Sequence, residues 1–102
     1  MIIFMVSLTR RAAENIRQKK DNSRYIRLKV IVEDDNKVDY AIDFTDSVNN
    51  DDILYMSYGI KILVGSSTRR YFEDLKVDYT GSNGKGNGSY KYNSTGIMTS
   101  DY

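Results

Sequence analysis

A chain of 102 residues with 40% apolar and 28% charged residues is long enough for one small domain with a single core. Its formal net charge of +1 gives no strong overall field for binding a polyanion. The sequence contains no cysteine and no histidine, which excludes disulfides, thiolate ligands and thiol nucleophiles. We therefore expect no enzyme.

The first residues, Met1–Val6, are apolar but too few to span a membrane. They also lack the basic region and the cleavage pattern of a signal peptide. We expect an edge strand or a flexible start here, no membrane association, and by default a cytoplasmic location.

An amphipathic helix is predicted next. Thr9 is a suitable N-cap for about three helical turns, which a polar turn at Asp21–Ser23 ends. The helix has one narrow apolar stripe, formed by Ala12, Ala13 and Ile16. Much of its remaining surface is basic: Arg10, Arg11, Arg17, Lys19 and Lys20. Together with Arg69–Arg70, this face is one hypothesis for nucleic-acid binding. Because interleaved aromatic residues are missing, a solvated helix face is favoured and nucleic acid is not expected.

A long β-hairpin is predicted from Tyr25 to Phe44, because apolar and polar residues alternate along both halves. Both apolar rows lie on one face only if Val32 is opposite Val38, since a slip of one residue would turn every side chain over. The same register places Ile26 opposite Phe44 at the base of the hairpin.

This register predicts a three-residue loop, Asp34–Asn36, at the tip of the hairpin. It also places Glu33 opposite Lys37 and Arg27 opposite Asp43. Both are favourable cross-strand charge pairs and support the register.

The acidic tip is a weak candidate for a metal site, because Glu33, Asp34 and Asp35 carry oxygen ligands suited to a hard cation. Three adjacent acids on a tight turn rarely converge on one ion, and the spacing of a calcium loop is absent. A solvated hairpin tip is favoured. The segment Asp46–Asp52 is likewise predicted to be a polar turn.

The stretch Asp51–Tyr79 predicts a strand, a tight turn at Ser57–Gly59, a second strand, a short helix and a third strand. Apolar residues alternate in the two later strands: Ile60, Ile62 and Val64, then Leu75, Val77 and Tyr79. Gly65 releases the chain into the helix, which is expected to be capped by one of three hydroxyls: Ser66, Ser67 or Thr68. We expect the rest of the chain to pack onto this unit.

A glycine-rich segment, Gly81–Ser89, follows the last of these strands. It lacks the spacing of a phosphate-binding P-loop and is followed by a strand at Tyr90–Tyr92, so a flexible connection is favoured. The small, polar segment 94–102 predicts a flexible tail after a single domain at 1–93.

Nine tyrosines are many for this length. They are predicted to be ordinary strand residues, and an exposed recognition surface is the alternative. Tyr55, Tyr58 and Tyr71 lie nearest the central stretch.

Several short segments, in this order and spacing, are similar to the A-type iron-sulfur carriers, the HesB-like family. They are Leu8–Thr9 with Ala12–Ala13 and Ile16, Leu28–Val30, Asp52–Ile53, Gly59–Val64, Ser67 with Tyr71–Phe72, and Val77–Tyr79. The resemblance extends from Ser7 to Asn93. We expect an α+β fold of mostly antiparallel, curved β-sheets with one N-terminal helix and one short internal helix. A plain β-barrel would leave the N-terminal helix unexplained.

One departure decides what the resemblance implies for function. The family holds its cluster with three cysteines, one in a glycine-rich loop after the first long strand and two near positions matching Ser100 and Tyr102. This chain has no cysteine. We expect no cofactor, and a scaffold or interaction protein in iron-sulfur cluster biogenesis that associates with itself or with assembly proteins. The alternative is a small-ligand module, or an iron-binding module that uses Glu33, Asp34, Asp35 or a neighbouring tyrosine.

Overall fold

The structure, a computed structural model, describes residues 6–20, 22–34, 37–81 and 88–94. In chain order the elements are β1 (Val6–Leu8), α1 (Arg10–Lys20), β2 (Tyr25–Asp34), β3 (Lys37–Thr45), β4 (Asp52–Ser57), β5 (Ile60–Gly65), a 3-10 helix (Ser66–Phe72), β6 (Leu75–Thr80) and β7 (Ser89–Ser94). The glycine-rich connection between β6 and β7 and the C-terminal tail, both predicted to be flexible, lie largely outside the described residues.

The hairpin of β2 and β3 has the predicted register, with Val32 opposite Val38 and Ile26 opposite Phe44. At the tip the prediction is wrong. A shift in register between Val32 and Asp34 sets Asp34 rather than Glu33 opposite Lys37. A β-bulge adds one residue to β2 and increases the local twist, so a connection shorter than the predicted three residues closes the hairpin.

The central unit has the predicted order of elements, beginning with the β4–β5 hairpin. Ser57 lies opposite Ile60, and the two residues between them have positive φ angles, 52° at Tyr58 and 77° at Gly59. A two-residue turn of this kind matches the right-handed twist of its strands.

The predicted helix is present as a 3-10 helix, but the predicted hydroxyl cap is wrong. Gly65 is the N-cap residue and makes no side-chain cap bond. The Thr68 hydroxyl instead donates to the Gly65 carbonyl at 2.9 Å. The first helical amide, that of Ser66, donates to the Asp51 carbonyl at 2.9 Å, so the residue before β4 satisfies one of the free amides at the start of the helix.

Two parallel pairings that the sequence did not predict join distant parts of the chain. β1 is parallel to β6 in a three-stranded sheet of order β1-β6-β7, and β2 is parallel to β5 in a four-stranded sheet of order β3-β2-β5-β4. The other three pairings in the described ranges are antiparallel. The fold is therefore α+β with mixed, mostly antiparallel sheets, which confirms the predicted class.

Helix α1 contributes its predicted apolar stripe to the core between the sheets. Ala12, Ala13 and Ile16 are at most 1% exposed. Thr9 is the predicted N-cap, and its hydroxyl accepts a hydrogen bond from the Ala12 amide at 3.2 Å. Both sheets meet α1 in one cluster of buried side chains: Val6, Leu8, Ala12, Ala13, Ile16, Ile26, Leu28, Ile60, Ile62, Val64, Phe72, Leu75 and Val77. Neither helix in the described ranges is long and apolar enough to cross a bilayer.

Candidate functional site

The acidic tip of the β2–β3 hairpin contains the predicted oxygen ligands. Glu33 and Asp34 are exposed at the end of β2, whereas Asp35 lies outside the described residues. Across the part of the chain that the structure describes, no three acidic side chains are grouped so that they could hold a metal ion. An oxygen-ligand iron site at this tip therefore stays a prediction.

The three tyrosines nearest the central stretch have different surroundings. Tyr55 is half-buried and packs against the core. Tyr71 is also half-buried, with the Arg70 guanidinium 5.0 Å from its ring centroid. Tyr58, at the β4–β5 turn, is 55% exposed. Two of the three are thus ordinary packed residues, and Tyr58 alone among them is available to a recognition surface.

Other tyrosines connect the two sheets and α1. Tyr40 of β3 stacks on Tyr92 of β7 with ring centroids 5.2 Å apart, and its hydroxyl donates to the Tyr71 carbonyl at 2.7 Å. The Tyr90 hydroxyl donates to the side-chain oxygen of Asn15. Burial raises the pKa of Tyr90 to about 12 and also raises the pKa of Tyr40 and of Tyr92. These phenols stay protonated at neutral pH, so they are poor iron ligands and act as packing residues.

Most of the basic residues of α1 have partners within the fold. Arg11 forms an ion pair with Asp78 at 2.8 Å, and Arg17 donates to the backbone carbonyl of Tyr58. The Lys19 ammonium lies over two aromatic rings of β6 and β7. These contacts give the cations a structural role, which favours the solvated helix face over a nucleic-acid surface.

The carboxylate of Asp78 joins β6 to the start of α1. One of its oxygens accepts hydrogen bonds from the Thr9 hydroxyl at 2.6 Å and from the Tyr79 amide at 2.8 Å. These bonds and the nearby Arg11 guanidinium hold the pKa of Asp78 below its ordinary value of 3.8. The N-cap of the helix is thereby held in place by a charged group from a distant strand.

The connection between β3 and β4 crosses one face of the four-stranded sheet. These two strands lie at opposite edges of that sheet, so residues 46–51, here called the strap, must pass from one edge to the other. Arg27 donates to the Ser47 carbonyl at 2.8 Å, which places the strap on the outer face, away from the core. Leu63 is the backbone neighbour of Arg27 and is 1% exposed, although it does not belong to the main core cluster. Leu63 is therefore buried outside the main core cluster, next to the strand residue that binds the strap.

The charge pairs beneath the strap differ from those predicted. Arg27 lies opposite Asp43 in the predicted register, but Asp43 pairs with Lys29 at 3.0 Å. Arg27 pairs with Asp52 at 2.6 Å, and the Asp52 side chain is 1% exposed. Burial raises the pKa of Asp52, but hydrogen bonds from Arg27 and from the Asn49 amide outweigh it and lower that pKa below 3.8. Sequence alternation could not reveal this pair because it depends on the path of the strap.

Apolar side chains next to the strap are exposed, and the sequence reasoning did not single them out. Val48, Leu54 and Met56 are each more than half exposed. Leu54 and Met56 alternate along β4, so the period-two pattern of that strand was the signal that could have revealed them. Leu54 and Met56 thus place two exposed apolar side chains on the same face of β4.

A family model described as iron-sulphur cluster biosynthesis matches residues 4–90. The chain belongs to this family. Its resemblance to the HesB-like A-type carriers is thereby confirmed. No protein of curated function gives a significant sequence match.

Three solved structures share the fold. Escherichia coli SufA, which is involved in biosynthesis of iron-sulfur clusters, is 23% identical with a TM-score of 0.74, over 90% of this chain and 88% of that chain. IscA, solved with a 2Fe-2S cluster, is 18% identical with a TM-score of 0.77, over 89% and 86%. A protein from Aquifex aeolicus solved by NMR is 19% identical with a TM-score of 0.62, over 89% and 94%. At these identities the likeness shows the fold alone.

The residues of this chain do not fit a cluster of the family's kind. Iron-sulfur clusters are held chiefly by cysteine thiolates, in some centres together with histidine, and none of the 102 residues is a cysteine or a histidine. In place of the family's ligand loop, β2 ends at Asp34 and β3 begins at Lys37. The positions matching the other two cysteines, near Ser100 and Tyr102, lie outside the described residues. The remaining donors are oxygens, lysine nitrogens and the neutral thioethers of four methionines, none of which supplies the charged thiolate that holds such a cluster.

Proposed function

We propose that this protein acts in iron-sulfur cluster biosynthesis as a scaffold or interaction protein that does not hold a cluster with its own side chains. The observation that carries the proposal is that the described residues share the fold of SufA and IscA in a chain without cysteine or histidine. We assign it no catalytic step, and we retain the cytoplasmic location expected from the sequence.

Two features of the structure support a role in which the fold is kept and the ligands are not. The core, the cap of α1 and the buried ion pair under the strap are intact, so the missing ligands do not reflect a general loss of structure. In place of the ligand loop, β2 and β3 form a hairpin in which Asp34 lies opposite Lys37 after a shift in register. A single cysteine substitution at this turn would not rebuild a longer loop that presents a thiolate.

Anaerobic reconstitution tests the proposal. The purified protein is incubated with ferrous iron and sulfide, desalted, and examined by visible absorption and by iron and sulfide analysis. IscA, whose structure contains a 2Fe-2S cluster, is treated in parallel as a positive control. We expect IscA to gain iron and sulfide while this protein stays colourless. A stable chromophore at a fixed ratio of iron and sulfide to protein would refute the proposal.

The same samples test the oxygen-ligand alternative. Iron retained without sulfide would indicate a site made of carboxylates, and the candidate ligands are Glu33, Asp34 and Asp35. In that case the variant Glu33→Gln/Asp34→Asn/Asp35→Asn should lose the iron. A variant neutralised elsewhere on the exposed surface, Asp39→Asn, should keep it.

The interaction part of the proposal needs its own measurement. A mixture of this protein with a cysteine-bearing family member such as IscA, analysed by size-exclusion chromatography with light scattering, should contain a complex heavier than either protein alone. If each protein elutes at its own mass at every ratio, an association with carriers of this kind is wrong.

A further inference from the structure

The strand β4 carries apolar residues on both of its faces. Its sequence contains an uninterrupted apolar run, Ile53–Met56. A strand with one solvated face normally alternates apolar and polar residues, and a continuous run is typical of a strand that is covered on both faces. Tyr55 packs against the core, whereas Leu54 and Met56 on the opposite face are 51% and 59% exposed. The described part of the chain thus leaves this outer face largely open, although its sequence is that of a covered one.

Two cations border this face at the turn between β4 and β5. Lys61 lies opposite Met56 in the register, and the exposed Arg17 donates to the backbone carbonyl of Tyr58. The ammonium of Lys61 lies 5.9 Å from the ring centroid of Tyr25. The ion pairs among the described residues involve other cations: Arg11, Arg27 and Lys29. Within the described ranges neither Lys61 nor Arg17 has a carboxylate partner, so both are available to the acidic groups of a bound molecule.

We propose that this face binds an acidic, amphipathic helix of another protein. The β4 surface comprises Leu54, Met56 and Tyr58 with the two cations, Lys61 and Arg17. Apolar side chains of the helix contact Leu54 and Met56, and its carboxylates face the cations at the turn. Aromatic residues, methionine and arginine are enriched at protein interfaces, and amphipathic helices commonly bind through their apolar faces. The proposal does not depend on a role of the partner in iron-sulfur cluster biosynthesis.

The position of β1 favours a helix over a strand as the partner. The Leu8 amide donates to the Ser57 hydroxyl at 3.0 Å, so β1 lies beside the end of β4. Another strand therefore cannot pair with the backbone of β4 at that end, and the partner must bind through side chains. Leu54 and Met56 are two positions apart, which separates them by about 7 Å along the strand. Residues four positions apart on a helix are separated by about 6 Å along its axis, which matches this spacing.

Fluorescence anisotropy measures the binding directly. The probe is a labelled, alanine-rich peptide of about 18 residues, long enough to be helical in water, with a stripe of leucines flanked by glutamates. One control peptide has lysine in place of each glutamate, and the other has serine in place of each leucine. We expect only the leucine–glutamate peptide to bind, and to bind more weakly at high salt. The proposal is wrong if this peptide does not bind at its highest soluble concentration, or if the lysine peptide binds equally well.

Matched variants locate the binding surface. Met56→Ser should raise the dissociation constant of the peptide about tenfold, whereas Ile31→Ser, at a residue of β2 that is 51% exposed, should leave it unchanged. Lys61→Glu should raise it about fivefold, and Lys91→Glu, on β7 of the other sheet, should change it less than about twofold. Circular dichroism checks that each variant is folded. Equal effects of a variant and its control would contradict the proposed surface.

Cysteine labelling distinguishes the proposed partner from other occupants of the β4 surface. The sequence has no native cysteine, so Met56→Cys and Ile31→Cys each introduce a single thiol. In the free protein both thiols should react with a maleimide at similar rates, and the leucine–glutamate peptide should protect only Met56→Cys. Protection of Met56→Cys in the free protein at every concentration would mean that a segment of this chain covers the surface. Protection that increases with protein concentration would mean that a second copy covers it, and either result would overturn the proposal.

Discussion

Replacing Arg27 by methionine should destabilise the protein strongly, although Arg27 lies on the outer side of the sheet. The variant keeps the aliphatic stem and removes the guanidinium that pairs at 2.6 Å with an Asp52 side chain that is 1% exposed. Removing one partner of a buried ion pair costs roughly 3–5 kcal/mol, because the remaining charge stays buried without compensation. Asp52 would still accept a hydrogen bond from the Asn49 amide at 2.6 Å. We therefore expect the lower end of that range, about 3 kcal/mol.

Urea denaturation followed by far-UV circular dichroism measures this loss directly. For a domain of this size, 1 kcal/mol corresponds to roughly 4–8 °C in melting temperature, so the variant should melt roughly 12–24 °C lower. The double variant Arg27→Met/Asp52→Asn should recover part of the loss, because a neutral amide does not need the guanidinium. A cost for Arg27→Met below about 0.5 kcal/mol, as for a typical surface residue, would refute the argument that the strap is held by a buried charge pair.

The same pair predicts a pH dependence. The pKa of Asp52 is lowered in the folded protein, so its stabilising contribution is fully present above its ordinary value of 3.8 and is lost as the pH falls through the folded value. The stability difference between wild type and Arg27→Met should thus be largest near neutral pH and should shrink below about pH 4. A constant difference down to pH 2.5 would show that Asp52 is not the group concerned.

Two further predictions concern single residues. Tyr58→Asn should stabilise the protein by about 0.5–1 kcal/mol in urea denaturation, because asparagine adopts the positive φ of 52° at this turn more readily than tyrosine. A loss of stability would show that the contacts of the Tyr58 ring contribute more than the relief of backbone strain. Thr9→Ala should cost about 1–2 kcal/mol through the lost N-cap. In the same variant the pKa of Asp78, followed by NMR titration of its carboxyl carbon, should rise toward 3.8, and an unchanged pKa would mean that the Tyr79 amide and Arg11 suffice.

The parts of the fold that depend on residues close together in the sequence could be predicted from the sequence. Alternation along β2 and β3 determined their register, because a slip would bury the wrong face. Apart from the bulge at the tip of the β2–β3 hairpin, the errors occurred where a distant segment takes part. The helix start was expected to have a hydroxyl cap, but its Ser66 amide is bound by the Asp51 carbonyl, and the guanidinium expected opposite Asp43 pairs with Asp52.

In the candidate site, too, some features follow from the sequence alone and others depend on how distant segments meet. The missing cluster ligands are evident from composition alone, since no fold can supply a thiolate that the chain does not contain. The strap, the buried Leu63 and the exposed edge of β3 depend on the order of strands in the sheet. That order includes two parallel pairings, and parallel pairing leaves no short-range turn signal in a sequence.

The pairing of β1 with β6 has a consequence for how this protein reaches its native state. Thr9 and Asp78, which join the start of α1 to β6, are separated by 69 positions along the chain. Contacts of high sequence separation require an entropically costly loop closure before they contribute, and domains rich in them fold in milliseconds to seconds. The β2–β3 and β4–β5 hairpins can form early, while β1 has no parallel partner until β6 is in place. The strand β1 is therefore among the last to join a sheet, and a chain that stops before Leu75 lacks the strand with which β1 pairs.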